Sequence, residues 1–417
     1  MTEPVPLSPE DRMILDMEGP VVAGHACKVI RLEPPGVDFD SFFEMVERRV
    51  SSVPELWYRL SDEDGAPCWV SDQRFQLERH LFPWREGEEV AASEVPAITA
   101  ELFMKRLDRD RPLWAIDVAR LADGGTVLVS RTHHALADGT TVMRFAREML
   151  WDEKPGAGAP ATPAARQADD TRHEAHLLRV YEHEFVRSED NSPFDGQIGP
   201  DREIAFATVS LGELHDAANK ATGAKLNDAV LALLAGAFEH WLEHLDEETP
   251  GEIRVKVPVS LHYGDDHAGN RDSFFTVPLP LDEPDPMLRL ARIRSESAER
   301  KSNHDAETLD RWFQRAAGVS PFLGRLLKRF GADPRRYAVN VSNVRGPGSP
   351  VTILGTTVSS IHSVAEIAER HALRVAVISY ADQIGFGFCA DPELVPELDR
   401  IAEGVEVAAG RLIAGAV

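Results

Sequence analysis

The sequence predicts an α/β protein (α+β in the arrangement of its sheets) built as two lobes, and three observations predict it. The chain has 417 residues, more than one compact core usually holds. Alternating apolar and polar runs, the mark of strands, are interleaved with segments whose apolar residues recur at helical spacing. Between the halves lies EKPGAGAPATPAA, residues 153–165, a low-complexity Pro/Gly/Ala stretch whose prolines keep it extended. It is the natural crossover, so the expected boundaries are 1–150 for an N-terminal lobe, 151–200 for the connection and 201–417 for a C-terminal lobe.

The N-terminal half opens with LSPEDRMILD, residues 7–16, where Ser8 caps a helix, Pro9 takes its first position and Asp11 supports its start. Residues 37–50 form a second amphipathic helix, with Phe42, Met45, Val46 and Val50 as the buried stripe. RPLWAIDVARL (111–121) and TVLVSRT (126–132) flank Asp123-Gly124-Gly125 as a β-hairpin. A helix then runs from Thr141 to Leu150 with Val142, Phe145, Ala146 and Met149 on one face.

In the C-terminal half, a strand over 204–211 precedes a helix over 226–245 that is apolar nearly all round in its first part, so it is buried. Asn227 and Asp228 stand where that helix is capped. Strands follow at 253–261 and 274–281, with Gly269-Asn270 between them, and again at 337–343, breaking at Gly346-Pro347. LRVAVISY (373–380) and QIGFGFCA (383–390) form a second hairpin about Ala381-Asp382, and a helix over 391–402 closes the fold.

Composition narrows the function. Hydrophobic residues at 43% and charged residues at 27% describe an ordinary globular chain. The 45 Lys+Arg against 69 Asp+Glu leave a net charge of -24, which repels phosphate backbones and anionic head groups, so nucleic acid is not an expected partner. A local exception is the basic run 321–336, with Arg325, Lys328, Arg329, Arg335 and Arg336; it reads as a solvated helix face or as a site for phosphates or lipid. Cys27, Cys68 and Cys389 are few and scattered, which fits a reducing cytoplasm. The N-terminus lacks the basic and apolar regions of a secretion signal. The longest apolar run, Ala229 to Phe238, is too short to span a bilayer. A cytoplasmic protein, soluble or peripheral to a membrane, is expected. GxSxG elbows, GxxxxGK loops and CxxC pairs are absent.

The chemistry concentrates in RTHHALADGTT, residues 131–141, at a strand-to-helix turn. Neutral imidazole there can take a proton near neutral pH and return it within one turnover. His134 is the candidate base, Asp138 and Gly139 close the turn, and the glycine lets a ligand approach the backbone. His133 with Asp138 forms an alternative HxxxxD pair. A His/His/Asp metal site is a third reading, without a further ligand cluster to complete it.

HHALADG resembles the HHxxxDG motif of the CoA-dependent acyltransferase superfamily, which includes chloramphenicol acetyltransferase and peptide-synthetase condensation domains. The flanking blocks resemble the bacterial wax ester synthase/diacylglycerol acyltransferase (WS/DGAT) family. LSPxD matches at Ser8, Pro9 and Asp11, PLW at Pro112, Leu113 and Trp114, and ND at Asn227 and Asp228. PVS, then GN at Gly269-Asn270, PLP, and Asp285-Pro286 follow in family order. SNVxGP matches at Ser342, Asn343, Gly346 and Pro347, with Arg345 where the family has a proline, and ISYxD and DxxLVPxLD match its C-terminus.

The resemblance implies two chloramphenicol-acetyltransferase-like lobes, each a mixed sheet with helices, and an active-site tunnel between them. It implies transfer of a fatty acyl group from acyl-CoA to a long-chain alcohol or diacylglycerol, giving a wax ester or triacylglycerol. His134 would be the general base, with no cofactor beyond acyl-CoA as co-substrate and a membrane or lipid-droplet surface as a further partner. It makes Arg59 a salt-bridge partner for Asp138, Ser342, Asn343, Trp114 and Asn270 candidate substrate contacts, and Pro112, Asn227, Asp228, Gly346 and Pro347 structural. A serine hydroxyl or asparagine amide at a strand end can also donate to a tetrahedral oxyanion, or only pin the turn. Three rivals stay open: a polar acceptor or carrier-protein donor in the same superfamily, the His133 HxxxxD chemistry, and a non-catalytic lipid- or acyl-binding protein.

Overall fold

A computed structural model describes residues 4–62, 67–153, 192–260, 272–302 and 336–416. The Pro/Gly/Ala stretch beyond residue 153, Gly269-Asn270 and the basic run through residue 335 lie outside the described residues.

The first helix, α1 (Pro9–Met17), starts as its sequence dictates: the Ser8 hydroxyl accepts from the Asp11 backbone N–H at 3.0 Å and the Asp11 carboxylate accepts from Ser8 N–H at 3.3 Å. Helix α2 (Phe39–Arg49) is capped by Asp38 and buries Phe42, Met45 and Val46. A small sheet of β1 (Val5–Pro6), β3 (Tyr58–Ser61) and β4 (Cys68–Ser71) has the order β1-β4-β3.

The main N-terminal sheet is built on β2 (His25–Leu32), β7 (Trp114–Leu121) and β8 (Thr126–His133), with β5 (Leu81–Pro83) and β6 (Glu89–Val90) parallel to β7. Helices α3 (Val95–Met104) and α4 (Gly139–Met149) accompany it. The second sheet has the order β11-β10-β12-β15-β16-β9, built from β9 (Glu203–Ser210), β10 (Glu252–Ser260), β11 (Asp272–Pro280), β12 (Val339–Arg345), β15 (Leu373–Tyr380) and β16 (Gln383–Ala390). Parallel pairing at β10-β12 and β12-β15 within otherwise antiparallel neighbours makes it mixed. Its helices are α5 (Leu211–Thr222), α6 (Leu226–His244), α7 (Pro286–Ser302) and α8 (Leu398–Gly415). The apolar α6 is buried almost along its whole length, as its lack of a polar face requires.

Two elements between β12 and β15, β13 (Thr352–Ile353) and β14 (Thr356–Ala365), leave their own half. β14 pairs antiparallel with β2, so the N-terminal sheet reads β13-β14-β2-β8-β7-β5. Sheet membership therefore does not follow the two stretches of chain expected from the sequence. β14 also packs over β16, where a β-carbon on Gly387 would lie 1.8 Å from the Ser363 carbonyl oxygen. The crossing is built on the absence of that side chain.

The closing helix differs from its expectation over 391–402. Residues 391–397 form a turn in which Asp391 accepts from Glu393 N–H at 2.9 Å and from Gly199 N–H at 2.5 Å. Pro396 and the left-handed Glu397 (φ 53) delay α8 to Leu398, and it then runs to Gly415.

Candidate active site

β8, an interior strand of the N-terminal sheet, ends at His133, and His134 follows directly. His133 N–H donates to the Leu113 carbonyl at 2.9 Å, which ties the PLW block to the histidines, and His134 N–H donates to the Gly24 carbonyl at 2.9 Å. Arg131, two residues earlier, is buried in an ion pair with Asp117 at 2.8 Å and also donates to the carbonyls of Leu102 and Lys105. The strand end is thus fixed from three directions.

The two histidines have separate tasks. His133 is 1% exposed; its Nδ1 accepts from the Ala135 N–H at 3.1 Å, which leaves Nε2–H to donate to Glu18 Oε1 at 2.7 Å. Both ring nitrogens of His133 are thus engaged within the protein and the ring is closed off from solvent. Burial opposes the charge of Glu18, but the hydrogen bond from His133 and the charges of His133 and Arg109 outweigh it and hold the carboxyl below its ordinary value. Gly24, at φ +71, makes room: a β-carbon there would lie 2.8 Å from His133 Nε2.

His134 is half-buried. Burial first, and then the positive charge of Arg374, lower its pKa to about 4, against the opposing pull of Asp138. The imidazole is therefore neutral at physiological pH, as a general base must be.

Asp138 does not close a tight turn; it caps α4, accepting from Thr141 N–H at 2.6 Å. Gly139 begins that helix against β12, where a β-carbon would meet Val344 Cγ2 at 2.7 Å. The HHxxxDG and SNVxGP blocks, some two hundred residues apart in sequence, are in contact here. Arg59, the expected partner of Asp138, donates to the Leu60 carbonyl at 3.1 Å. Lys28 on β2, whose charge interacts with Asp138, is buried, hydrogen-bonded to Ser363 Oγ at 2.5 Å, and lowered by burial to a pKa of about 8.

On β12, Ser342 is half-buried and shares a strand face with Asn340 and Val344. Asn343 points the other way and donates from Nδ2 to Asn227 Oδ1 at 3.3 Å, joining the SNV and ND blocks. Asp228 acts as cap from inside the first turn of α6, accepting from Lys225 N–H at 3.1 Å. Arg345 extends β12, in register with Ser379, and Gly346 N–H donates to the Ser379 carbonyl at 2.9 Å. Pro347 follows, its carbonyl accepting from Ala381 N–H at 2.8 Å. The departure from the family proline thus leaves the end of β12 docked on β15.

Trp114, expected at substrate, is a core residue: 3% exposed, its indole N–H donates to the Leu56 carbonyl at 2.8 Å and its ring stacks on His80 at 4.5 Å. Pro112 is buried just before it. Sequence reading missed Glu18, Gly24, Lys28 and Arg374. Of these only Arg374 carried a signal, as the one charge in the apolar run LRVAVISY. Among the described residues no group of three or more His, Cys, Asp or Glu side chains could hold a metal ion.

Residues 7–184 match the wax ester synthase/diacylglycerol acyltransferase catalytic domain, and residues 268–412 match the WS/DGAT C-terminal domain. The chain belongs to the WS/DGAT family. A putative diacylglycerol O-acyltransferase of Mycobacterium tuberculosis is 28% identical over 96% of this WS/DGAT chain and 94% of its own length. A second protein of that organism, a probable diacylglycerol O-acyltransferase, is 28% identical over 92% and 90%. In structure, a wax ester synthase/diacylglycerol acyltransferase from Marinobacter aquaeolei VT8 aligns with a TM-score of 0.73 at 24% identity, covering 99% of this chain and 100% of that one. The first condensation domain of the CDA synthetase aligns at 0.65 and 15% identity over 100% and 98%. Both likenesses show the fold, and the family makes this chain an acyltransferase.

Proposed function

We propose that this WS/DGAT protein moves a fatty acyl group from acyl-CoA to the hydroxyl of a long-chain alcohol or diacylglycerol, with His134 as general base. The observation that carries it is a neutral, half-buried His134 fixed by its backbone to Gly24, one turn from the contact between α4 and β12. His134 takes the proton of the acceptor hydroxyl as its oxygen attacks the thioester carbonyl. The C–O bond forms, the C–S bond breaks as the tetrahedral intermediate collapses, and the imidazolium returns the proton to the departing thiolate. Asp138 holds α4 in place and exchanges no proton, and the Ser342 hydroxyl is the donor for the oxyanion. Transfer is direct, and acyl-CoA is a co-substrate that needs no further cofactor.

Residues 1–150 and 201–417 act as the two lobes of this site, joined by the connecting segment. Among the described residues no helix is long and apolar enough to cross a membrane; the proposed contact with a membrane or lipid droplet is peripheral, made from the cytoplasm. Val5, Met13 and Met17, exposed at 44%, 41% and 54%, supply apolar area for it at the N-terminus.

The test is thiol release from a panel of acyl-CoAs offered alcohol, diacylglycerol or amine acceptors. Ester formation with the first two supports the reading; preference for an amine, or acyl binding without thiol release, defeats it.

A further inference from the structure

The carbonyl that holds His134 belongs to a stretch of chain with no ladder of its own. Residues 18–24 link α1 to β2 without regular structure, and Ala23 is buried, so its backbone polar groups need partners from elsewhere. Two side chains from beyond the connecting segment supply them. Glu366, the residue after β14, accepts from Ala23 N–H through Oε2 at 3.1 Å. Arg202, the residue before β9, donates through Nη2 to the Val21 carbonyl. By taking a carbonyl and the N–H two residues on, the pair stands in for a neighbouring strand.

Both side chains are themselves fixed. Arg202 Nε donates to Glu366 Oε1 at 2.8 Å, and the two side chains are 2% and 8% exposed. Arg202 Nη1 donates to the carbonyls of Gly199 at 2.8 Å and Asp201 at 2.7 Å. Glu366 Oε1 also accepts from Ile367 N–H at 3.1 Å, and the Glu366 carbonyl accepts from Arg374 Nη1 at 3.0 Å. A buried ion pair is weak evidence for stability, because desolvation offsets its attraction. Its use here is geometric. Next to Ala23, the Gly24 carbonyl accepts from His134 N–H at 2.9 Å, and a β-carbon on Gly24 would lie 2.8 Å from His133 Nε2. A shift of residues 21–24 therefore moves the group to which His134 is tied.

We propose that Glu366, oriented by Arg202, is a positioning residue of the acyl-transfer site: it fixes residues 21–24 so that the Gly24 carbonyl keeps His134 in place. This rests on the reading of His134 as general base. Both side chains act through backbone. The ends of β14 and of the connecting segment thereby set the place of a histidine that belongs to the other half of the chain.

The experiment compares full-length wild type with two double variants of equal charge, Arg202→Met/Glu366→Leu and Arg202→Met/Glu366→Gln. Both remove the ion pair, and only Gln keeps an oxygen for Ala23 N–H. The readouts are kcat and KM for thiol release, the unfolding temperature, and amide hydrogen exchange at Ala23 and His134. The Leu variant is expected to lose about 10- to 10²-fold in kcat, the scale for misplacing a catalytic group by up to about 1 Å, with KM little changed and both amides exchanging faster. The Gln variant should recover most of that kcat and protection at a similar unfolding temperature, which a merely structural role would not produce. Equal kcat in the two, or equal protection of the amides in the two, overturns the proposal. If neither double variant folds, Glu366→Asp decides. It keeps the charge facing Arg202 but draws the oxygen back from Ala23, so kcat should fall and the His134 amide should exchange faster; a wild-type value of either overturns the proposal. Should wild type release no thiol, the reading of His134 as base fails, while amide exchange in the variants still tells whether Glu366 holds the segment.

Discussion

A β-carbon on Gly139 would lie 2.7 Å from Cγ2 of Val344, so the first residue of α4 and the last turn-ward apolar residue of β12 touch only because one of them has no side chain. Gly139→Ala must push the two halves apart or bend a rotamer, at about 1 to 3 kcal/mol. It should lower turnover more than thermal stability, because the displaced element carries Asp138. Val344→Ala in the same chain should restore both, and a double-mutant cycle measures the coupling.

His134→Ala should abolish acyl transfer and leave the unfolding temperature nearly unchanged, since the half-buried ring is not part of the core. His133→Ala should do the opposite in kind. It leaves the Glu18 carboxylate over a void without the Nε2–H donor, Arg109 still paired to it, a loss of about 1 to 3 kcal/mol for a buried acceptor left short of its donor. Unfolding in urea and initial rates on the same preparations separate the two. Equal stability of the variants, or equal loss of rate, would contradict the division of labour.

Acid should destabilise the fold well before carboxylates are titrated. Burial lowers His25, His134, His362 and His371 from near 6.5 to about 4. Between those values the unfolded chain binds protons that the folded chain refuses. Their contribution is complete above pH 6.5 and drains as pH falls toward 4, by about 1.4 kcal/mol per pH unit for each histidine. Glu18 adds the same sign lower down: its depressed carboxyl contributes above its unfolded value and is lost as pH falls through the folded one. Denaturation midpoints across pH 4 to 8 check the slope.

Trp114→Phe should cost stability without changing KM for either substrate. The ring volume is mostly kept, but the Leu56 carbonyl loses its donor, worth about 1 to 3 kcal/mol when a buried group is left unsatisfied. A raised KM at unchanged stability would return Trp114 to the substrate.

Gly387→Ala should exceed about 4 kcal/mol, the range reserved for named structural failures, because its methyl would fall 1.8 Å from the Ser363 oxygen. Soluble yield and unfolding temperature are the readouts.

Local pattern made much of the fold legible. The hairpin of β7 and β8, the buried α6 and the β15-β16 hairpin follow from period-two and apolar-all-round runs, and the structure ends them within a few residues of where the sequence does. What stayed hidden is non-local. That β14 joins β2 is set by pairing across some three hundred residues, and nothing in TTVSSIHSVA states its partner. In the site, His134, Asp138 and Gly139 stood out because a strand-to-helix turn concentrates chemistry. Glu18 and Gly24 did not, since their importance comes from packing under His133. Trp114 was read toward substrate because motif membership does not reveal which way an indole faces.

The strand that crosses from one half into the sheet of the other acts as a stitch. Parting the halves like jaws would tear an antiparallel ladder running from Val358 to Ala365 off β2. Opening of the two halves as rigid jaws is therefore barred, and any traffic through a site between them has to pass while the body of the protein stays shut.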